Sequence, residues 1–448
     1  MAIVTPPFLL DGSYRRYDRL VIAGSPLRLF RLSAAGRRVA EAIEQQLDLP
    51  PRHAKLTDRL VDAGAIHPNP IGSPFTAADV TVVVPAFNAM PSVTHEGAVI
   101  VVDDASDPAL PAIDGQRTIR LPNNRGPGAA RNAGLAEVTT PLVAFVDTDV
   151  DPDPAWLQPL LRHLSDPRVA LVAPRVLSSP GTTALAEYEA TRSPLDLGAE
   201  AGRIAPGTRI SYVPAAALLV RTDALRAIGG FDESLRTGED VDMVWRLIAA
   251  GHRCRYEPAS TVHHRPRPTM SQWVRQRVAY GRSAAALDRK HRGAVAPLRM
   301  SGWSAAVWAL VLVRRPGAGA LVGAGTMIAL RRKIRDLPPA ESLRLAGLGH
   351  LYAGRQLASA ITRVWWPAAL LIAIVGRRAR LPLLGAALIP PLLDWLGRRG
   401  PIDPVRFVAL HVADDVAYGT GVWIGAVELR TAGALAPTFT NWPGRAGG

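Results

Sequence analysis

Two aspartates separated by one residue follow a short apolar run in the middle of the chain, in the sequence FVDTD. Residues two apart on an extended chain project to the same side, so Asp147 and Asp149 present their carboxylates together. Carboxylate oxygens suit a hard divalent cation such as Mg²⁺ or Mn²⁺, and such a cation can hold a diphosphate. Because Pro152 and Pro154 follow, the same residues are also typical of a turn.

Residues with polar or planar side chains also follow two apolar runs that precede Asp147 in the sequence. A carboxylate at such a position can accept the N3 proton of a uracil, while backbone groups pair with the edge of the base. An ordinary passage from strand to loop is the alternative interpretation. The residues concerned are Pro85, Ala86, Phe87 and Asn88 after the first run, and Asp103 and Asp104 after the second.

The segment NNRGPGAARN, residues 123–132, combines a glycine-rich turn with the start of a helix. Arg131 lies in the first turns of that helix, where a guanidinium can donate two hydrogen bonds to a pyrophosphate or a base. A glycine-rich turn alone is not specific. Because this one comes third in an ordered series, we predict that Arg131 faces a bound nucleotide.

A second acidic group lies downstream, in the sequence TGEDVD. Glu239 and Asp240 begin a predicted helix, where acidic side chains interact favourably with the helix dipole. The functional alternative is that Asp240 removes the proton from an acceptor hydroxyl as a general base. Further along, His263 or His264 is either a third metal ligand or a structural histidine, and Arg277 offers a cation to a diphosphate or sugar.

Strands must position these residues, and the sequence predicts them at 80–84, 99–102, 142–146 and 169–172. Short apolar runs that alternate with helices are typical of a parallel sheet covered on both faces. In doubly wound α/β sheets, ligands bind beyond the carboxyl ends of the strands. The polar segments described above lie at those ends, so we expect one shared site.

A smaller unit precedes this region. Ser33 can cap a helix that carries Val39 and Ile43 on one stripe, and a second helical pattern ends at Gly64. Extended pieces at 19–22 and 27–32 complete a helix-and-hairpin domain over residues 1–70. The stretch 71–79, rich in Pro, Gly and Ser, is the predicted linker.

Apolar runs separated by basic clusters such as Arg331-Arg332-Lys333 follow the central domain, which we place at 80–295. None of the runs reaches the roughly 20 residues of a clean bilayer span. Buried helices are one interpretation. The favoured one is a set of interfacial or re-entrant helices whose arginines reach anionic lipid headgroups. We therefore expect residues 296–448 to be membrane-associated.

Composition narrows the class of protein. With 48% apolar and 20% charged residues, the chain is not disordered or fibrous. The net charge of +14 suits phosphate-bearing or anionic partners. A single cysteine, Cys254, fits a reducing compartment, and the N-terminal residues do not resemble a secretory signal, so we expect the cytoplasmic face of the cell membrane. The first 66 residues show no aromatic-basic interleaving, so no nucleic-acid partner is expected.

The ordered motifs PAFN, VVDDAS, NRGPGAARNAGL, FVDTDV, GGFDESL and GEDVDMVWRL resemble the family 2 glycosyltransferases of the GT-A fold. The resemblance covers residues 80 to about 280 and implies an α/β fold with a GT-A type doubly wound mixed sheet. It implies transfer of a sugar from a UDP-sugar donor, with a divalent cation and inversion at the anomeric carbon.

Carried over residue by residue, the resemblance implies a role for each matching position. Asp103 would bind uracil and Arg131 the nucleotide. Asp147 would contact ribose, Asp149 the metal, and Asp240 would be the base. The residues Met90-Pro91 depart from the acidic continuation common in the family, so part of the donor contact does not follow from the match.

The flanking sequences narrow the resemblance. GSPLRLFRLSAAGRRV and LVDAGAIHP resemble small winged-helix peptide-recognition modules of ribosomal-peptide maturation systems. Together with the central motifs, the chain is similar to the mycofactocin-system glycosyltransferases, which implies that glucose is attached to a peptide-derived redox cofactor (premycofactocin) and extended into a glycan. Two alternatives stay open: a rhamnosyl- or galactofuranosyl-type transferase acting on a lipid carrier, and a nucleic-acid-binding protein.

Overall fold

The computed structural model describes residues 7–47, 49 and 53–440. Contacts divide the chain into two compact units. The first holds the residues up to 180 together with 192–266, and the second holds 181–191 together with 267–448.

The N-terminal part of the first unit is a small domain with its own apolar core, which includes Val21, Phe30, Val39 and Leu60. As predicted, the Ser33 hydroxyl caps the first helix, accepting a hydrogen bond from the Gly36 amide at 3.1 Å. The predicted hairpin and both helices are present. The elements are β1 (Phe8–Leu10), β2 (Arg15–Tyr17), β3 (Leu20–Ala23), β4 (Arg28–Arg31), α1 (Ala34–Glu44), α2 (Ala54–Asp62) and β5 (Ile66–Pro68).

A nine-stranded sheet forms the rest of the first unit, and all four predicted strands belong to it. Its β-branched strands are buried on both faces, which explains the continuous apolar runs. The elements from here to the end of the sheet are β6 (Val80–Ala86), β7 (Val99–Asp103), β8 (Arg117–Arg120), α3 (Pro127–Glu137), β9 (Leu142–Val146), β10 (Val150–Pro152), α4 (Leu157–His163), β11 (Val169–Ser178), α5 (Ala184–Arg192), β12 (Gly202–Arg203), β13 (Ala217–Arg221), α6 (Thr222–Ala227), α7 (Glu239–Ala249) and β14 (Arg253–His264).

The sheet is mixed, as the resemblance implies. Its strand order is β10-β14-β11-β13-β9-β6-β7-β8, and β12 pairs with β14. Strands β9, β6, β7 and β8 run parallel to one another, whereas β13 is antiparallel to both β9 and β11. Strands β6, β7 and β9 therefore end at one common edge.

The second unit is mainly helical. Its long helices α8 and α14 approach closely because glycines of each helix lie against the backbone of the other. Gly281 of α8 lies against Tyr418, and Gly421 of α14 lies against Val278. Composition predicts a boundary at residue 295, but contacts place the change of unit at 267, since α8 packs on α14. The elements are α8 (Met270–Lys290), β15 (Arg299–Ser301), α9 (Gly302–Leu312), α10 (Pro316–Lys333), α11 (Pro339–Arg363), α12 (Trp366–Val375), α13 (Arg380–Arg398), α14 (Pro404–Glu428) and β16 (Thr438–Thr440).

The predicted apolar runs of the second unit form helices, and one of these is longer than the sequence suggests. The helical stretch Arg377–Arg398 has 22 residues and is long and apolar enough to cross a membrane. Helices α11 and α12 pass the same test as a pair bent by 84°. The expectation that no segment reaches spanning length is therefore wrong for one helix. The apolar run itself is shorter, but the helix continues at both ends through the arginines that flank this run.

Candidate active site

Acidic side chains from two distant parts of the chain meet at the carboxyl edge of the sheet. We call these carboxylates, together with Arg131 and His264 beside them, the acidic edge. Helix α7 supplies one pair of carboxylates, and the segment after β9 supplies the other. The members of the acidic edge are Arg131, Asp147, Asp149, Glu239, Asp240 and His264.

Arg131 lies at the centre of the acidic edge and is only 2% exposed. Its guanidinium donates one hydrogen bond to Asp147 and one to Glu239, each at 2.7 Å. It also lies 5.4 Å from the centre of the Phe231 ring, which packs edge-on against Phe145 of β9. Arg131 thus connects α3, β9 and α7, and it neutralises part of the negative charge that they bring together.

Asp147 and Asp149 follow the last residue of β9, as predicted. Burial raises the pKa of Asp147, and the nearby charge of Asp149 acts in the same direction, although Arg131 opposes both. The Asp149 carboxylate lies 3.4 Å from Nε2 of His264. This pair forms because Val150, the next residue, is directly opposite His264 in the antiparallel pairing of β10 with β14.

The two consecutive histidines have different neighbours, because successive residues of a strand face opposite sides. His264 lies beside Asp149, whereas Nε2 of His263 lies 3.5 Å from Asp153. Of the two candidate histidines, His264 is therefore the one that lies close enough to Asp149 to bind the same metal ion.

Glu239 and Asp240 begin α7, which starts after Gly238 in a left-handed conformation with φ of 85°. The Asp240 carboxylate is partly exposed and accepts a hydrogen bond from the Ala215 amide at 3.1 Å. Burial raises the pKa of both carboxyls, that of Glu239 to about 7, and the charge of Asp240 acts in the same direction on Glu239. Asp240 therefore has the accessibility and the proton affinity expected of a general base.

Asp103 ends β7, Asp104 follows it directly, and both are almost fully buried. The Asp103 carboxylate accepts hydrogen bonds from the Ser106 and Leu110 amides and pairs with Arg120. Burial opposes its ionisation, but these hydrogen bonds outweigh burial and lower its pKa. The Asp104 carboxylate accepts hydrogen bonds from two amides of the turn before α3, both at 2.7 Å. Both residues hold loops in position, and their contact with a donor stays a prediction.

The loop after β6 lies beside the one after β7. The Asn88 amide donates to the Ser106 hydroxyl at 2.8 Å, and the Asn88 side chain accepts from the Asp107 amide at 2.9 Å. The carbonyl of Ala86 accepts a hydrogen bond from the Asp104 amide, so this backbone group is already paired. Phe87 is 50% exposed and offers a flat apolar surface next to these loops. Pro85 is partly buried within β6.

Comparison with known proteins assigns this arrangement to a family. Residues 81–229 match the glycosyl transferase family 2. A pre-mycofactocin glycosyltransferase from Mycobacterium tuberculosis, present in two strains, is 41% identical over 97% of this chain and 99% of its own length. The chain belongs to the pre-mycofactocin glycosyltransferases. It is an enzyme of family 2, and the mixed sheet with the family match confirms the expected GT-A type α/β fold.

Other relatives match at lower identity. The succinoglycan biosynthesis protein ExoO from Rhizobium meliloti is 29% identical, over 44% of this chain and 64% of its own. Among solved structures, the mannosyltransferase PcManGT from Pyrobaculum calidifontis, in complex with GDP-Man and Mn²⁺, aligns with a TM-score of 0.43 and 16% identity. That alignment covers 83% of this chain and 94% of the other.

Two arginines of this pre-mycofactocin glycosyltransferase do not have the surroundings that the sequence predicts. Arg277 lies in the second unit and is 2% exposed. It pairs with Glu189, and its Nε lies 2.9 Å from Asp414, so both flanking charges are carboxylates of the protein. Arg131 is likewise enclosed by carboxylates. Both guanidiniums are engaged in ion pairs with carboxylates of the protein in this structure, and donor binding by Arg131 and by Arg277 stays a prediction.

Glu239 is the residue that the sequence analysis undervalues. It appears there as a helix-start residue beside Asp240, yet it accepts a hydrogen bond from Arg131, 108 positions away. Its place directly before the predicted base is the signal that could have identified it. Arg120, which pairs with Asp103, is a second missed residue, and nothing in its local sequence distinguishes it.

Proposed function

We propose that this enzyme transfers a hexose, glucose in our assignment, from a UDP-sugar to the peptide-derived precursor of mycofactocin and then extends the glycan. The name of its relative from Mycobacterium tuberculosis, which is 41% identical over 97% of this chain, supports the acceptor. The observation that carries the chemistry is the acidic edge, where Arg131 connects Asp147 to Glu239 beside Asp240.

In the proposed reaction, Asp240 accepts the proton of the acceptor hydroxyl while that oxygen attacks the anomeric carbon. The bond to the diphosphate breaks on the opposite face, so one displacement inverts the configuration. Hydrogen bonds from the Ala215 and Val241 amides fix the orientation of the Asp240 carboxylate. Arg131 holds the neighbouring carboxylates in place. Its positive charge offsets part of the free-energy cost of bringing their negative charges together out of water.

A divalent cation, Mg²⁺ or Mn²⁺, fits the donors present if the protein supplies only part of its coordination. Among the described residues, no three His, Cys, Asp or Glu side chains are arranged as a complete cage. Asp149 and His264 can supply two ligands, and hard cations commonly take the remainder from substrate phosphates and water. When bound, such a cation neutralises the charge that develops on the departing diphosphate.

The proposed activity is tested by incubating the full chain with the pre-mycofactocin peptide product, MnCl₂ and a panel of nucleotide sugars, followed by mass spectrometry. We expect the mass of the acceptor to increase by one hexose, and then by further hexoses, with UDP-glucose. A polyprenyl phosphate acceptor in a parallel reaction tests the lipid-carrier alternative. Transfer to the polyprenyl acceptor alone, or to neither acceptor, would overturn the proposal.

We also propose that the second unit lies on an anionic membrane surface at the cytoplasmic face of the cell membrane. None of the described residues of α12 is buried. The side chains of Leu371, Ile374 and Val375 are 64%, 62% and 86% exposed. The basic residues Arg377 and Arg378 follow directly. Exposed apolar side chains next to arginines fit a bilayer interface with anionic headgroups.

Sedimentation with lipid vesicles tests the membrane proposal. The full chain should sediment with vesicles that contain phosphatidylglycerol and much less with pure phosphatidylcholine. Ile374→Asp should reduce sedimentation, whereas Ile71→Asp, at an equally exposed isoleucine of the first unit, should not. Equal sedimentation of both variants, or no binding by the unmodified chain, would contradict a membrane role for α12.

A further inference from the structure

A cavity of about 330 Å³ lies within the first unit, between the N-terminal domain and the transferase sheet. Val61 and Asp62 of α2 form one wall. The other wall includes four arginines: Arg168, Arg203, Arg253 and Arg255. No part of the proposed reaction uses these residues.

The cavity lies far from the acidic edge. Arg253 begins β14 and His264 ends it, and the paired strand β11 runs parallel to β14. Arg255 is opposite Val172 and His264 is opposite Ser178, so six residue steps of β11, or about 20 Å of extended strand, separate the two positions. The four arginines therefore lie near the amino-terminal ends of β11 and β14. This is the opposite edge of the sheet from the catalytic residues.

Two of the four arginines have carboxylate partners. Arg168 pairs with Asp58 at 2.8 Å, and Arg253 pairs with Asp62 at 2.7 Å and with Asp166 at 2.8 Å. These ion pairs also join α2 of the N-terminal domain to the transferase domain. They leave no carboxylate of this group for the other two arginines.

Arg255 is 3% exposed, and its Nη1 is buried without a hydrogen-bond partner among the described residues. Arg203 is directly opposite Arg255 in the antiparallel pairing of β12 with β14. Its guanidinium donates to the backbone carbonyl of Asp62, which is a neutral acceptor. Two positive charges thus face each other across two strands, and among the described residues neither forms an ion pair with a carboxylate, which is an unfavourable arrangement for an empty cavity.

The electrostatic surroundings agree with this geometry. Burial lowers the pKa of Arg255 to about 10, and the charge of Arg253 acts in the same direction, although the more distant charges of Asp166 and Asp62 oppose both. Burial also lowers the pKa of Arg203, together with the charge of Arg28 from β4 of the N-terminal domain, although the charge of Asp62 acts against both. A bound anion would compensate both groups, since buried charges in proteins are normally paired.

We propose that this cavity binds an oxyanion, the carboxylate or phosphate group of a small ligand, between Arg203 and Arg255. Arginine donates paired hydrogen bonds that match both kinds of group. The anion would lie where the N-terminal domain meets the transferase domain, so its binding would strengthen the contact between them. This site is separate from donor binding, and its test does not depend on the proposed transfer reaction.

Thermal unfolding of the full chain tests the proposal, with potassium phosphate, potassium glutarate and potassium chloride compared at equal ionic strength. Saturating UDP and MnCl₂ are present throughout, so that phosphate does not act by filling the donor site. We expect phosphate or glutarate to raise the Tm by about 2 °C or more over chloride. Phosphate alone identifies a phosphate ligand, glutarate alone a carboxylate, and no rise with either overturns the proposal.

Substitutions locate the effect. Arg255→Gln should abolish the anion-dependent rise, and in chloride its Tm should equal or exceed that of the unmodified chain because an unpaired buried charge is removed. Arg117→Gln, at an exposed arginine of β8, is the matched control and should keep the rise. Arg203→Gln provides an independent test if the first variant does not fold. An undiminished rise in Arg255→Gln, or in a folded Arg203→Gln, would contradict the assignment.

Discussion

Arg131 and Glu239 form a buried ion pair of 2.7 Å, although 108 positions separate them in the sequence. The same guanidinium pairs with Asp147 at 2.7 Å. Through these two contacts, the segment after β9 and the start of α7 form one site. The organisation of the acidic edge therefore depends on a cation that the protein itself supplies.

Replacing Arg131 should destabilise the fold and disable the site together. Arg131→Gln leaves the buried Glu239 and the partly exposed Asp147 without a counter-charge, and an uncompensated buried charge typically costs about 3–5 kcal/mol. We expect urea unfolding to show a loss of that size and transfer to fall below detection. Arg117→Gln, which removes an exposed ion pair with Glu137, is the control and should cost about 0–1 kcal/mol. A loss for Arg131→Gln no larger than for the control would contradict this role.

The rate of transfer should depend on the protonation of Glu239 and Asp240. Burial raises both pKa values, that of Glu239 to about 7, so the two carboxyls hold protons at a pH where ordinary carboxyls are ionised. The base form of Asp240 is lost as the pH falls, so the rate should decrease on the acid side at a pH above the ordinary aspartate value of 3.8.

A pH–rate profile of the transfer reaction, with saturating substrates, measures this acid limb. Glu239→Gln removes the neighbouring negative charge, which should shift the limb of any remaining activity to lower pH. A limb at the position of an ordinary carboxyl, or one that does not move in Glu239→Gln, would show that the adjacent pair does not control the base.

Helix α3 should tolerate no side chain at the point where it crosses the sheet. A Cβ on Gly134 would collide with Cγ1 of Val83 in β6. Gly134→Ala should therefore destabilise the chain by about 1–3 kcal/mol in urea unfolding, as overpacking usually does. Gly325→Ala, in the interior of α10 with open space around it, is the control and should be neutral or slightly stabilising. A neutral Gly134→Ala would show that α3 is less closely packed.

Removing Asp149 should affect the cation and not the fold. Asp149 is partly exposed and lies beside His264. Calorimetric titration of the unmodified chain with UDP should show stronger binding with MnCl₂ than without it, and Asp149→Ala should remove that difference. Asp153→Ala, beside the other histidine, is the matched control. Retained MnCl₂ dependence in Asp149→Ala would place the cation elsewhere.

The strands and the order of the motifs follow from the sequence because their physical signals are local. Val80–Val84 consists of β-branched residues throughout and Leu142–Val146 is a continuous apolar run of strand length. Asp147 and Asp149 follow the second of these strands in both sequence and structure. Ser33 as a helix cap was predictable for the same reason, since a cap acts within three residues.

Contacts between distant segments could not be read from the sequence in this way. The local sequence of Arg131 indicates an available cation, and only the fold shows that two carboxylates surround it. Arg277 is a similar case, because Glu189 and Asp414 are far from it in the chain. The boundary at residue 267 depends on the packing of α8 against α14, which composition does not register.

The most direct test compares donor binding with sugar transfer in Asp240→Asn. This substitution keeps the shape of the side chain and removes its ability to accept a proton. We predict unchanged affinity for UDP with MnCl₂ by calorimetry and a decrease in transfer of about 10²–10⁴-fold by mass spectrometry. Asp114→Asn, at an exposed aspartate outside the acidic edge, should retain both. Transfer by a folded Asp240→Asn at a rate near that of the unmodified enzyme would contradict the assignment of Asp240 as the base.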